Sequence, residues 1–306
     1  MPDTLRVSVV IPVWNAEPYL EALLTAILDQ ESIIISDIIL MDSMSTDGTA
    51  DIAQRFESVT LVPEPHFNHG ATRNRGIERA REETVILMTQ DALPEDRMCF
   101  HHLTAPLQDE LISYSFARQV PYPGTNPMES YYLAEKFPKD APKIYQTHHE
   151  HVRSPDDAFC SNVCAALKTS AWRQHPFRED LIMGEDQEFS CRVQESGCAV
   201  AYAPDAVVVH SHNYKLSVLL RRYFDSVVAL QQLFPERKLA ANASSGIDFL
   251  KGEFVFLFKN HPKWLLYYPL YLAAKTTATL VAHVYHEEKL PEKWAARFSM
   301  NKSYWR

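Results

Sequence analysis

The chain has 306 residues, 46% of them hydrophobic and 23% charged, the composition of an ordinary soluble protein with room for one large domain or two modest ones. Its formal net charge is -9, from 39 Asp+Glu against 30 Lys+Arg, and this field excludes a nucleic-acid partner. The charge is unevenly spread: residues 216–306 carry 13 Lys+Arg and 7 Asp+Glu, the remainder 17 and 32, so a basic tail follows an acidic front.

The front third alternates short apolar runs with helical spacing. Val7–Ile11 reads as a strand stopped by Pro12, and residues 17–29 as a helix through Leu20, Leu23, Leu24 and Ile27. Asp37–Met41 is a second strand ending at Asp42. Ser45-Thr46-Asp47-Gly48-Thr49 then supplies turn and cap residues before a helix through Ile52 and Phe56. Thr60–Val62 is a third strand, followed by the loop-to-helix stretch Phe67–Gly76. Val85–Met88 is a buried strand that runs into Thr89-Gln90-Asp91-Ala92. Such alternation predicts a mostly parallel sheet with helices on both faces.

Leu111–Ala117 and Asn162–Leu167 read as further strands, with 119–158 between them a Pro- and His-rich stretch of weak periodicity. Its His148-His149-Glu150-His151 has the wrong spacing for a helical zinc motif, because Arg153 stands four residues after His149. Residues 185–195 suit a helix and Ala206–Val209 a strand ending at His210. From Leu216 onward the pattern is helical, interrupted by Pro235, Pro262, Pro269 and Pro291. Residues 264–285 are strongly apolar, yet Pro269, Lys275, three Thr and His283 spoil a membrane span. The expected division is a domain over 1–215 and a helical region over 216–306. The tail's charge and its Trp264, Tyr267, Tyr268, Tyr271 and Trp294 fit peripheral membrane contact, with the core of a helical subdomain or a homodimer interface as the alternatives. The five Cys form no even framework and complete no zinc site. They read as reduced thiols of a cytoplasmic protein, and the first residues lack a secretory leader.

Strand ends carry the chemistry in such a sheet. Asp91 is well placed for a divalent cation or a phosphate-bearing ligand, and Arg73 for charge or base recognition, with a structural salt bridge as the alternative for both. Trp14 either stacks on a nucleobase or packs under a loop. Asp42 either accepts from the imide of a pyrimidine or caps its own turn. No Gly follows the first strand, which excludes a dinucleotide-binding loop. Glu185 and Asp186 stand together at the head of a helix, where adjacent side chains diverge by ~100° and cannot share one task.

Val7–Asn15 with Asp42–Thr49 resembles the family-2 glycosyltransferases of the GT-A fold. Phe67–Gly76, Thr89–Ala92, Arg118-Gln119-Val120-Pro121, Gly184–Glu188 and Phe298–Trp305 look like its bacterial rhamnosyltransferase branch. The resemblance implies an α/β GT-A domain and an inverting transfer from a nucleotide sugar, dTDP-β-L-rhamnose, to a lipid-linked surface glycan. It places Pro12, Trp14, Asp42 and Arg73 around the pyrimidine and ribose, and Gln90 and Asp91 at the diphosphate. Asp186 becomes the general base beside Glu185. Asp91 and His210 become ligands of Mg2+ or Mn2+, with surface imidazoles the alternative for His210 and His212. Arg118, Gln119 and Asn162 are the acceptor-side candidates. One departure stands out: the usual Asp-x-Asp or Asp-Asp is reduced to Gln90-Asp91-Ala92, a single carboxylate. A UDP-hexose donor and a non-catalytic sugar binder are the two rival readings. The expected place of work is the cytoplasm, at the inner face of the cell membrane.

Overall fold

The computed structural model describes residues 4–146, 152, 154–235, 243–302 and 304–305, so the His148–His151 tract lies outside the described residues. Residue contacts gather into two units. The first comprises Met1–Val120, Phe137–Glu179 and Glu185–His210; the second comprises Pro121–Lys136, Asp180–Gly184 and Ser211–Arg306. The second unit thus takes in two stretches upstream of residue 215, where the sequence suggests a single division.

The first unit opens with β1 (Arg6–Val13), α1 (Leu20–Leu28), β2 (Ile34–Asp42), α2 (Thr49–Ala53), β3 (Val59–Pro63), α3 (His69–Ile77) and β4 (Thr84–Met88). After these come β5 (Leu93–Pro94), α4 (Cys99–Thr104) and β6 (Ile112–Val120), and later β7 (Lys143–Tyr145), β8 (Cys164–Lys168), α6 (Thr169–Gln174), α7 (Glu185–Glu195) and β9 (Ala199–Val209). The nine strands form one sheet ordered β3-β2-β1-β4-β8-β6-β9-β5, with β7 also on β9. Strands β3, β2, β1 and β4 are parallel, as are β6 and β9, while β8 runs antiparallel between β4 and β6.

Register brings the chemistry to one edge. Val13 pairs with Asp42 and Asp42 with Pro63, so three parallel strands end level. Met88 at the end of β4 pairs with Cys164 at the start of β8, because an antiparallel neighbour begins where its partner stops. The core is apolar on both sides of these strands. Leu20, Leu23, Leu24 and Ile27 pack the inner stripe of α1 against Val9, Ile11, Ile38 and Phe100, each large side chain stabilising the fold by about 1.5–3 kcal/mol. Helix α3 has no such stripe and relies on close approach. A Cβ on Gly76 would lie 2.3 Å from Val10 Cγ1, and one on Gly70 2.1 Å from the Arg178 carbonyl oxygen.

Two sequence expectations change. The stretch 119–158 is not featureless, because α5 (Pro127–Lys136) and β7 fall inside it. Pro127 is suited to a first helical position, and Asn126 Oδ1 accepts from the Glu129 N–H at 2.9 Å, a start signal that apolar periodicity overlooks. Strand β9 begins at Ala199, well before Ala206, since its Pro204 falls at a register irregularity opposite Ala117/Arg118 where a ladder donor is not needed.

The second unit adds α8 (Leu216–Leu233), α9 (Ala243–Asn260), α10 (Tyr268–His286) and α11 (Glu292–Phe298) to α5. Phe224, Val228 and Ala229 of α8 pack on Ala278 and Ala282 of α10 and Ala295 of α11. Tyr268 and Tyr271 take the core alternative, packing with Met128 and Leu257, whereas Trp264 and Trp294 are exposed. Among the described residues no helix is long and apolar enough to cross a membrane.

Candidate active site

The loops leaving β1 and β2 are bolted to each other. Asn15 has φ 48°; its N–H donates to Ser45 Oγ at 2.8 Å, and its Oδ1 accepts from the Thr46 N–H at 2.9 Å. Ala16 N–H donates to Thr49 Oγ1 at 2.8 Å, and Glu17 N–H to Asp47 at 3.1 Å. Asp42 is buried and accepts from both the hydroxyl and the backbone N–H of Ser45, at 2.5 and 3.1 Å. Its carboxylate therefore braces this turn. Pro12 lies on the last stretch of β1, half-buried opposite Met41. The Trp14 side chain projects from the braced loop, 61% exposed.

Gln90, where a carboxylate is usual, clasps the Trp14 backbone from both sides. Its Oε1 accepts from the Trp14 N–H at 2.7 Å and its Nε2 donates to the Trp14 carbonyl at 3.1 Å. One residue on, Asp91 Oδ1 lies 3.6 Å from His210 Nε2. His210 is buried at the exit of β9, and its Nδ1 is 2.9 Å from Gln119 Oε1. Gln119 donates from Nε2 to Ser161 Oγ at 2.9 Å, which turns its carbonyl oxygen toward the imidazole. Nδ1 must then carry the hydrogen, and Nε2 is left as the atom facing Asp91, able to take a proton or a cation. A ring held through its other nitrogen is the usual arrangement of a metal-ligating histidine.

The acid pair at the head of α7 is divided by its surroundings. Glu185 is buried, its Oε1 3.1 Å from Arg73 Nη1 and accepting from Asn162 Nδ2 at 3.2 Å. Burial pushes its carboxyl up, but Arg73 and His69 beside it, with the Asn162 amide, hold it below the ordinary carboxylate range. Asp186 is half-buried and accepts from the Asn162 N–H at 3.2 Å and the Gln187 N–H at 2.8 Å. Burial first, then repulsion from Glu185, raises it to about 6 against those two bonds and Arg73. Tyr114, inside β6, donates its hydroxyl to Asn162 Oδ1 at 2.6 Å and closes the network. Two carboxyl groups one residue apart are thereby separated into one held ionised and one poised near neutrality.

The sequence-derived candidates thus fall into four groups. Arg73, Asn162, Glu185 and Asp186 form one hydrogen-bonded network; Asp91, His210 and Gln119 form a second; Gln90 and Trp14 a third; Asp42 belongs to its own turn. Arg73 takes the ion-pair alternative rather than standing open. Asn162 and Gln119, the acceptor-side candidates, hold the acid pair and His210 respectively. Arg118 follows the β6 irregularity, lies near enough to Tyr202 to act on its hydroxyl, and has a buried Nε without a hydrogen-bond partner. Tyr114 and Ser161 escape sequence reasoning because nothing in their own segments marks them; only strand order brings them to these partners.

The family described as Glycosyl transferase family 2 matches residues 8–175. The O-antigen chain rhamnosyltransferase RfbN of Salmonella typhimurium is 30% identical over 98% of this chain and 96% of its own. The O-antigen chain rhamnosyltransferase WbaN of Salmonella anatum is 31% identical over 88% and 86%. Among solved structures, the mannosyltransferase PcManGT of Pyrobaculum calidifontis, in complex with GDP-Man and Mn2+, superposes with TM-score 0.57 at 19% identity, covering 97% of this chain and 84% of its own. S. aureus TarS 1-349 with UDP-GlcNAc superposes with TM-score 0.55 at 15% identity, covering 98% and 85%. The GT-A architecture is common to all three.

Proposed function

Since the chain belongs to glycosyl transferase family 2 and is a glycosyltransferase, we propose that it moves L-rhamnose from dTDP-β-L-rhamnose, with inversion, onto a hydroxyl of a lipid-linked surface glycan. Two relatives named as O-antigen chain rhamnosyltransferases, one matching nearly end to end, support the sugar and the acceptor class. The observation that carries the chemistry is the divided acid pair. A half-buried carboxyl raised to about 6 is ionised at neutral pH yet basic enough to accept a hydroxyl proton.

In the proposed step Asp186 takes the proton from the acceptor hydroxyl as its oxygen bonds to the anomeric carbon. The bond from that carbon to the diphosphate breaks on the opposite face, and dTDP departs with the electron pair. The product is an α-L-rhamnoside. Glu185 stays ionised against Arg73 and serves as a positioning residue, and so does Asn162, whose backbone and amide engage both acids. Trp14 offers a stacking face for the base on a backbone that Gln90 holds, with Pro12 and Asp42 shaping the same edge. Arg118, with its unpartnered Nε, is the acceptor-side candidate that keeps a donor to spare.

Asp91 and His210 fit a divalent cation: an oxygen and a nitrogen face each other, and Gln119 fixes the tautomer. Such a mixed set suits Mn2+ better than Mg2+, and His212 follows two residues later in the chain. A bound cation would offset the charge that develops on the departing diphosphate. We place the reaction at the cytoplasmic face of the membrane, where a lipid-linked acceptor is presented.

Calorimetry with dTDP-rhamnose, UDP-glucose and UDP-N-acetylglucosamine tests the donor. Tighter binding of either UDP-sugar would overturn the rhamnose assignment. Asp186→Asn tests the base: donor binding should persist while transfer falls about 10²–10⁴-fold. A variant keeping more than about a tenth of the turnover would remove Asp186 from that role.

A further inference from the structure

Helix α9 is apolar over much of its circumference, and only part of that surface is covered. Leu257 and Glu253 turn inward and are fully buried, Glu253 accepting from the Tyr268 hydroxyl at 2.7 Å. Beside them Ile247, Leu250, Phe254 and Phe258, spaced by three or four residues, form an exposed stripe, with Phe258 64% exposed. Further exposed leucines follow: Leu266, at the end of the 3-10 turn Pro262–Leu266, is 88% exposed, and Leu270, in the first turn of α10, is 58% exposed. An apolar stripe left exposed on a helix whose other apolar residues are already packed belongs against a second apolar phase.

Charge selects that phase. Lys251, Lys259 and Lys263 are exposed along the same segment, whose acids are Asp248, paired with Lys251 at 3.1 Å, and the buried Glu253. The chain as a whole carries -9. A two-fold pairing of copies would set this basic stripe against itself, whereas an anionic lipid surface satisfies both the lysines and the apolar side chains. Trp264 and Tyr267 at the bend are rings of the kind that favour the headgroup level. We propose that the outer face of α9, with Leu266 and Leu270, lies in the plane of an anionic bilayer and holds the enzyme there without crossing it. This inference does not rest on the identity of the donor.

The test is co-sedimentation of the full chain with phosphatidylcholine vesicles and with phosphatidylcholine–phosphatidylglycerol vesicles. Binding should require phosphatidylglycerol, and should fall steeply between about 0.05 M and about 0.5 M salt as the Debye length shrinks. The double variant F254E/F258E should bind at least about tenfold more weakly. K251Q/K259Q/K263Q, at about fivefold per lysine, should lose on the order of 100-fold. Both variants alter exposed side chains, so circular dichroism and melting should match the parent. No binding to the anionic vesicles, or binding that F254E/F258E leaves intact, would overturn the proposal. So would a dimer in light scattering that F254E/F258E dissolves, which would assign the face to a second copy.

Discussion

Glu185→Gln removes the charge beside Asp186 while keeping the shape of the side chain. Asp186 stands at about 6 rather than 3.8 because burial, and after it the repulsion of Glu185, oppose its ionisation; that rise corresponds to roughly 3 kcal/mol. Burial is the larger contribution and survives the substitution. The acid limb of kcat/KM should therefore move from about pH 6 toward pH 5, about one unit and not two. Arg73, released from its partner, pulls in the same direction. A weaker base should also lower the plateau rate by about threefold. The variant carries a second signature: Arg73 is left as a buried cation facing a neutral amide, and losing one partner of a buried pair costs about 3–5 kcal/mol. At the lower figure, melting should fall by about 6–12 °C. Arg73→Met on the same background should recover part of that loss without moving the acid limb back to pH 6. Initial rates between about pH 4.5 and 8.5, with calorimetric melting of each variant, give both readouts. A folded Glu185→Gln enzyme whose acid limb stays at pH 6 would refute the coupling between the two acids.

Other expectations follow from separate parts of the molecule. Gln119→Met deprives His210 Nδ1 of its acceptor, so Mn2+ affinity measured by electron paramagnetic resonance should drop about 10–100-fold. Asp91→Ala should weaken donor binding in the presence of Mn2+, and chelation should reproduce that loss in the parent but add little to the variant. Glu129 in the second unit is raised to about 7 by burial, against the pull of Lys275 and a backbone N–H at His212. Because the folded carboxyl is the harder to ionise, the stability it gives below about pH 4.5 is lost as pH rises through 7, about 3 kcal/mol in all. Denaturant titrations of Glu129→Gln should show that slope flattened, and an unchanged slope would rule the group out. Gly76→Ala should cost about 1–3 kcal/mol, since its Cβ would meet Val10; a variant melting with the parent would show that β1 yields there.

The parallel front of the sheet is legible in sequence because Val7, Val9–Ile11, Ile38–Met41 and Val85–Met88 are buried on both faces and so appear as unbroken apolar runs. Asp91, Asp186 and His210 are legible for a related reason: each lies at the exit of a strand or the head of a helix. What each of them touches is not. Arg73 meets Glu185, and Gln119 meets His210, only through the order β4-β8-β6-β9, which no local pattern encodes. Asn162 and Gln119 have the polar side chains of sugar-binding residues, and spacing alone cannot reveal that their amides are engaged within the protein. The outer stripe of α9 is hidden among the apolar residues of its inner face. Only packing separates Phe254 and Phe258 from Leu257.

Strand β8 is the hinge of assembly in time as well as in space. The ribosome finishes β3, β2, β1 and β4 by Met88, but the strand that covers the flank of β4 begins only at Cys164. Until it emerges, Thr84–Met88 presents an open, uncharged edge, the kind of surface on which chains join edge to edge. The residues of the candidate site are likewise separated, with Asp91 made early and Asn162, Glu185, Asp186 and His210 late. A nascent chain stopped short of Cys164 therefore holds the braced Trp14 loop beside an unpaired strand edge, the kind of edge that invites aggregation. Antiparallel pairing of the five residues Cys164–Lys168 covers that edge and joins β4 to β6.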